Sequence, residues 1–202
     1  MRACLVVIAA LGIGAAGAAA AQQEPQPIYT QLFVSPMGEP FRAIDGPPYP
    51  VAAWFAGADA NHDGVISRDE FRADALRFFK RLDLDGDGKL SDIEMHRYET
   101  QVAPEIIAST FDTSGTRAQV DSLGHDIPIT RSVRQGASYY GMLDDPEPVR
   151  NADANFNMKV TLEEFLAAAD RRFKLLRREG ADGLKLADLP PTPFQLQLQK
   201  KH

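Results

Sequence analysis

Asp59-Ala60-Asn61-His62-Asp63-Gly64-Val65-Ile66-Ser67-Arg68-Asp69-Glu70 and Asp83-Leu84-Asp85-Gly86-Asp87-Gly88-Lys89-Leu90-Ser91-Asp92-Ile93-Glu94 are two twelve-residue segments of one pattern. Hard divalent cations take six to eight oxygen ligands at roughly 2.3–2.6 Å. Asp59, Asn61 and Asp63 offer side-chain oxygens at the first, third and fifth positions, as do Asp83, Asp85 and Asp87. Gly64 and Gly88 stand at the sixth position, where a sharp turn calls for positive φ. Val65 and Lys89 follow, where only a backbone carbonyl is needed. Ile66 and Leu90 are apolar, as a short strand joining one loop to another would be. Ser67 and Ser91 would act through water, and Glu70 and Glu94 would give both carboxylate oxygens. An acidic solvated turn explains the aspartates, but not the glycine, the apolar residue and the glutamate in register.

Both segments resemble the calcium loop of the EF hand. The whole is similar to EF-hand domain proteins that bacteria export. The resemblance implies Ca²⁺ as the bound ion, an all-α fold of helix-loop-helix units, and a binding protein rather than an enzyme. It does not imply what the binding is for.

Twelve residues, Phe71 to Leu82, separate the loops. They span about 18 Å as one helix, too short for two helices and a turn. One helix must therefore serve both loops, and each loop needs a partner from elsewhere in the chain. The pattern returns at an offset of 94: Asp153, Asn155, Asn157, Lys159, Thr161 and Glu164 fall on the positions of the first loop. Phe173 then matches Phe79, and Leu176 matches Leu82. Arg177, Glu179, Asp182-Gly183 and Leu186 resemble a fourth loop that has lost its ligands. The expected architecture is a duplicated two-loop, shared-helix unit, with the second loop pairing with the third and the first with the fourth.

Ligand charge ranks the sites. The second loop has four acidic ligands, the first has three, and the third has only Asp153 and Glu164. Met158 takes the third loop's glycine position, where left-handed backbone costs a non-glycine residue roughly 1–2 kcal/mol. The expected order of affinity is second, first, third, with the fourth not binding.

The 202 residues are 44% hydrophobic and 25% charged, with a formal charge of −6. Without a basic stripe, nucleic acid is excluded as a partner. Met1-Arg2, the apolar run Cys4 to Ile13 and the alanines before position 22 read as a signal peptide over 1–21. Its removal takes the single cysteine with it, leaves no membrane span, and places a bacterial protein in the periplasm or outside the cell. Residues 22–50 hold seven of the fourteen prolines and read as an extended, irregular arm lying on the body. The first two hands occupy 51–103, with helices expected over Val51–Ala58 and Ser91–Val102. An irregular and helical connector follows over 104–144, with a helix over Gly136–Leu143. The third and the degenerate fourth hand fill 145–189, beginning with a helix that restarts near Asp145. The tail, 190–202, alternates Phe-Gln-Leu-Gln-Leu-Gln and reads as a short strand or a frayed end.

His62 and His96 read as surface histidines. Ser122, His125 and Asp126 are too close in sequence to be a fold-assembled triad. Arg171, Arg172, Lys174, Arg177 and Arg178 read as a solvated helix face or a partner-binding one. The methionines are scattered, unlike the Met-rich groove of a sensor. The expected role is structural or buffering calcium binding, or calcium-dependent binding of a protein partner. Two alternatives stand beside it: periplasmic lanthanide binding, and a calcium-stabilised adhesin or enzyme scaffold. Lanmodulin-like loops carry proline at the second position and aspartate at the ninth, which these lack.

Overall fold

A computed structural model describes residues 30–44, 47–111, 119–120, 126–127 and 134–200. The expected signal peptide, the first part of the arm at 22–29 and most of the connector from 112 to 133 lie outside the described residues.

The described part of the arm is a hairpin rather than irregular chain, which corrects the all-α expectation to a largely helical fold. β1 (Gln31–Val34) pairs antiparallel with β2 (Pro40–Ala43), with Phe33 opposite Phe41. Its turn closes with the Ser35 N–H donating to the Glu39 carbonyl at 2.8 Å, and Gly38 there has φ +98°. Pro40 opens its strand, a place that tolerates the missing N–H. Leu32, Phe33, Val34 and Met37 are buried, and that burial holds the hairpin to the body.

α1 (Val51–Ala58) buries Trp54, Phe55 and Ala58. α2 (Arg68–Leu82) begins at a capping box, in which Ser67 and Glu70 satisfy each other's backbone N–H. Its buried residues, Phe71, Ala75, Phe78, Phe79 and Leu82, keep helical spacing. α2 thus leaves the first loop and runs directly into the second, ending at Asp83.

β3 (Lys89–Leu90) follows, then α3 (Asp92–Arg97), capped by the same Ser91–Glu94 box. A π-helical turn over Tyr98–Val102 and α4 (Pro104–Phe111) complete this half. β4 (Gln119–Val120) and β5 (Asp126–Ile127) form a minimal antiparallel pair.

α5 (Ala137–Tyr140) is one turn, not the expected helix to Leu143, because Gly141 leaves it in an extended conformation. The helix expected before the third loop is only a 3₁₀ turn, Arg150–Ala152. Pro146 and Pro148 disfavour helical backbone in the residues before them.

β6 (Val160–Thr161) leads into α6 (Leu162–Leu176), with a Thr161–Glu164 capping box. A 3₁₀ turn, Leu186–Asp188, precedes α7 (Pro193–Gln199). α7 corrects the strand-or-frayed reading of the tail. Thr192 accepts the Gln195 N–H at 3.0 Å and Pro193 sits at the first helical position. Phe194 packs on Tyr139 and Tyr140, with ring centroids 5.7 and 5.2 Å away.

The core lies between α2 and α6. Phe71 meets Phe173 at 5.6 Å and Phe79 meets Phe165 at 5.4 Å. Phe33 of the hairpin packs against Trp54, the ring centroids 5.7 Å apart and the planes tilted by 47°. Glu39, buried on the hairpin, accepts from Arg81 at 3.0 Å and from both terminal nitrogens of Arg77.

Arg172 departs from the solvated-face reading of its basic run. It is buried and donates to Asp145 Oδ2 and to the Pro148 carbonyl, both at 2.7 Å. Arg171, Lys174, Arg177 and Arg178 are exposed.

The loops pair as their spacing predicts. Lys89 lies opposite Thr161, and Leu90 opposite Val160, in the β3–β6 ladder. Ile66 and Leu184 exchange N–H···O bonds of 2.8 and 2.9 Å. Second is joined to third and first to fourth, from opposite ends of α2.

Candidate metal centre

In the second loop, backbone N–H groups aim the acidic side chains. Asp83 accepts from Gly86 at 2.9 Å and from Gly88 at 3.1 Å. Asp85 accepts from the Asp87 N–H at 3.1 Å, and Asp87 from the Lys89 N–H at 2.8 Å. Glu94 reaches back across the loop to the Leu84 N–H at 2.7 Å, while its other oxygen takes the Ser91 N–H and hydroxyl, both at 2.8 Å. Gly88 has φ +79°, and a Cβ there would meet nothing, so the requirement for glycine is conformational rather than steric.

One oxygen each from Asp83, Asp85 and Asp87 lies within 4.8 Å of the others. Among the described residues this is the one cluster of three or more His, Cys, Asp or Glu side chains fit to hold an ion. Two oxygens on one calcium ion are at most about 5 Å apart, so the residues present fit the ion. Asp83, Asp85, Asp87 and Glu94 would supply its anionic ligands and the Lys89 carbonyl a neutral one.

The first loop repeats this wiring. Asp59 accepts from Asp63 at 3.2 Å and from Gly64 at 2.9 Å, and Asp63 accepts from Val65 at 2.8 Å. Glu70 takes the N–H groups of Ala60 and Asn61 at 3.1 and 3.2 Å. The Asn61 amide donates to Asp63 Oδ2 at 3.0 Å. Both ninth-position serines are helix caps: the hydroxyl of Ser67 donates to Glu70 Oε2 at 2.7 Å and accepts from the Glu70 N–H. Spacing alone misses this second duty.

The third loop has the same backbone path with weaker donors. Asp153 accepts from Asn157 and Met158, and Asn157 from the Lys159 N–H. Met158 adopts φ +62° and Phe156 φ +59°. Phe156 is 88% exposed. The Asn155 amide donates to Glu164 Oε1 at 2.7 Å. In the fourth segment Asp182 is exposed, and no acidic group joins it in a cluster among the described residues. Gly183 is required there because a Cβ would overlap the Ile66 carbonyl.

Hydrogen bonds tune the twelfth-position carboxylates. The Ser67 N–H and hydroxyl hold Glu70 below its ordinary range, and Thr161 does the same for Glu164. Burial pushes Glu94 up, but the donors at Ser91 and Leu84 outweigh it, and the net shift is downward. The downward shift favours the ionised, ligating form of each carboxylate. His62 and His96 are exposed. Ser122 and His125 lie outside the described residues, as does the side chain of Asp126.

Residues 51–73 and 77–97 match the family model described as EF hand. These two stretches carry α1, both strong loops, most of α2 and α3. The EF hand is a non-catalytic, calcium-binding module. No curated protein and no solved structure matches the chain. No helix among the described residues is long and apolar enough to cross a membrane.

Proposed function

We propose that this chain binds Ca²⁺ through its second and first loops, in that order of affinity. The convergence of Asp83, Asp85 and Asp87 within 4.8 Å carries the reading, and the EF hand match over both loops supports it. The third loop binds weakly through Asp153, Asn155, Asn157, the Lys159 carbonyl and Glu164. The chain is a duplication of a unit with two loops on one helix. The common path of the first and third loops and their capped exiting helices support this. The protein is exported, as its first 21 residues suggest, and calcium serves to stabilise the fold or to be stored. An exported protein meets abundant calcium, matched by sites of about 10⁻⁴–10⁻³ M.

Terbium luminescence tests the reading. Trp54 lies five residues before Asp59, close enough to sensitise Tb³⁺ in the first loop. Binding should sensitise emission, and Ca²⁺ should displace it. Glu70→Gln should remove the signal and Glu94→Gln should remove the tighter site by calorimetry. No sensitised emission, with Glu70→Gln matching the wild type, refutes the first site. La³⁺ displacing Tb³⁺ at concentrations where Ca²⁺ fails would instead favour lanthanide binding.

A further inference from the structure

The third loop is closed by its own side chains in a way the other two are not. The Asn155 amide donates to Glu164 Oε1 at 2.7 Å, while its carbonyl accepts the Asn157 N–H at 3.1 Å. One side chain therefore ties the third position of the loop to the fifth and the twelfth. At the matching positions of the second loop stand Asp85 and Glu94, two anions that cannot donate to each other. Bringing them together costs repulsion unless a cation lies between. In the first loop the Asn61 amide turns to Asp63 instead of Glu70.

The closed loop bears directly on the second site. Leu90 and Val160, fully buried, face each other in the β3–β6 ladder. The Leu162 N–H donates to the Gly88 carbonyl at 3.1 Å. Gly88 is the turn of the second loop, and its N–H holds Asp83. Glu164 lies two residues beyond Leu162, so what fixes Glu164 also fixes the strand that sets the backbone of the second loop.

We propose that Asn155 is a positioning residue. Its amide closes the third loop in place of a cation, and the loop then acts as a template that preorganises the second site. This rests on the second loop being a calcium site. It assigns the third loop's weak ligand set a role: a loop that needs no ion can support its neighbour before calcium arrives. Preorganisation raises affinity by removing an ordering cost from the binding step.

The test compares wild type, Asn155→Ala and Asn155→Asp by calcium calorimetry, with hydrogen exchange in chelator. Asn155 is exposed, so both variants should fold. The Leu162 amide should be protected in metal-free wild type and lose protection in both variants. Second-site affinity should fall roughly fivefold in Asn155→Ala, the value of one hydrogen bond, and stay low at high calcium. In Asn155→Asp it should fall likewise, then recover as the third loop, now with three carboxylates, takes up a further ion. A purely structural defect would not be rescued by calcium. Equal second-site affinity in all three proteins overturns the proposal, as does a wild type that fills three sites with similar affinity. If Glu94→Gln titrates like the wild type, the calcium reading itself has failed and takes the proposal with it.

Discussion

Arg172→Met should destabilise this protein more than any change to its exposed basic residues. The guanidinium side chain is 6% exposed and Asp145 is 20% exposed. It donates to Asp145 Oδ2 and the Pro148 carbonyl, both at 2.7 Å, and one nitrogen lies 3.4 Å from Met37 Sδ. It therefore joins α6 to the 145–148 strap and to the hairpin turn. Removing one partner of a buried ion pair costs about 3–5 kcal/mol, because the other charge is left without compensation. Asp145 keeps a bond from Asn151 at 2.6 Å and some contact with water. The loss should thus fall at the lower end, about 3 kcal/mol. Methionine preserves most of the packing, so the loss reports on charge and hydrogen bonds. For a chain of this size the melting temperature should drop by about 6–12 °C. Urea unfolding in excess calcium, followed by Trp54 fluorescence, measures it. A loss below about 1 kcal/mol, the value of a surface pair, would refute the assignment of Arg172 as a buried tie.

Three further outcomes follow from the loops and their surroundings. Met158→Gly relieves left-handed backbone at φ +62° and should add about 1 kcal/mol of stability after glycine's entropy cost, read by thermal unfolding. Gly183→Ala places a methyl against the Ile66 carbonyl and Val65 side chain; it should split the Ile66–Leu184 bridge and weaken the first site while leaving the second unchanged, read by terbium and calorimetry. Two groups of carboxyls give opposite pH responses in metal-free protein. Glu70, Glu94 and Glu164 are held below their ordinary 4.5 by hydrogen bonds, so their contribution is present above that value and lost as pH falls through the lowered ones. Glu147 is raised by burial, then by Glu99, and its Oε2 is buried with no hydrogen-bond partner among the described residues; its ionisation is a cost at neutral pH, so Glu147→Gln should raise the urea midpoint there and the gain should vanish in acid.

The loops were legible because a cation demands particular atoms at fixed spacing, and Asp59–Glu70 and Asp83–Glu94 carry them. The shared helix was legible from length alone, since the residues between Glu70 and Asp83 leave room for nothing else. Pairing followed, because a loop strand such as Leu90 cannot leave its backbone unpaired in the core. What was missed lies where two signals compete. The tail alternates like a strand, but Thr192 before Pro193 is a helix start, and that local chemistry prevails. The hairpin was hidden by proline content, although Pro36 and Gly38 are turn residues between two apolar runs. Arg172 was grouped by charge with its neighbours. Its position seven residues after Phe165, on the face of Ala168 and Ala169, places it in the core. The π turn at Tyr98 has no signal we can name in the sequence.

The hairpin also bears on what calcium binding can do. An EF-hand sensor works by swinging helices apart to expose an apolar groove. Here the aromatic face of α1 and α2 is already covered: Phe33 lies on Trp54, and Trp54 meets Phe71 edge-on at 6.3 Å. The cover is fastened by Glu39 to Arg77 and Arg81, and by the Tyr98 hydroxyl donating to the Gly38 carbonyl at 2.8 Å. Opening would have to break these bonds and expose Leu32, Phe33 and Val34 together. Burying such side chains is worth about 1.5–3 kcal/mol each, more than the few kcal/mol that separate the states of a working switch. The two strong loops, moreover, sit at opposite ends of one helix, each tied to a different partner. Calcium bound at these loops would then hold α2 and α6 together, as the proposed stabilising or storage role requires.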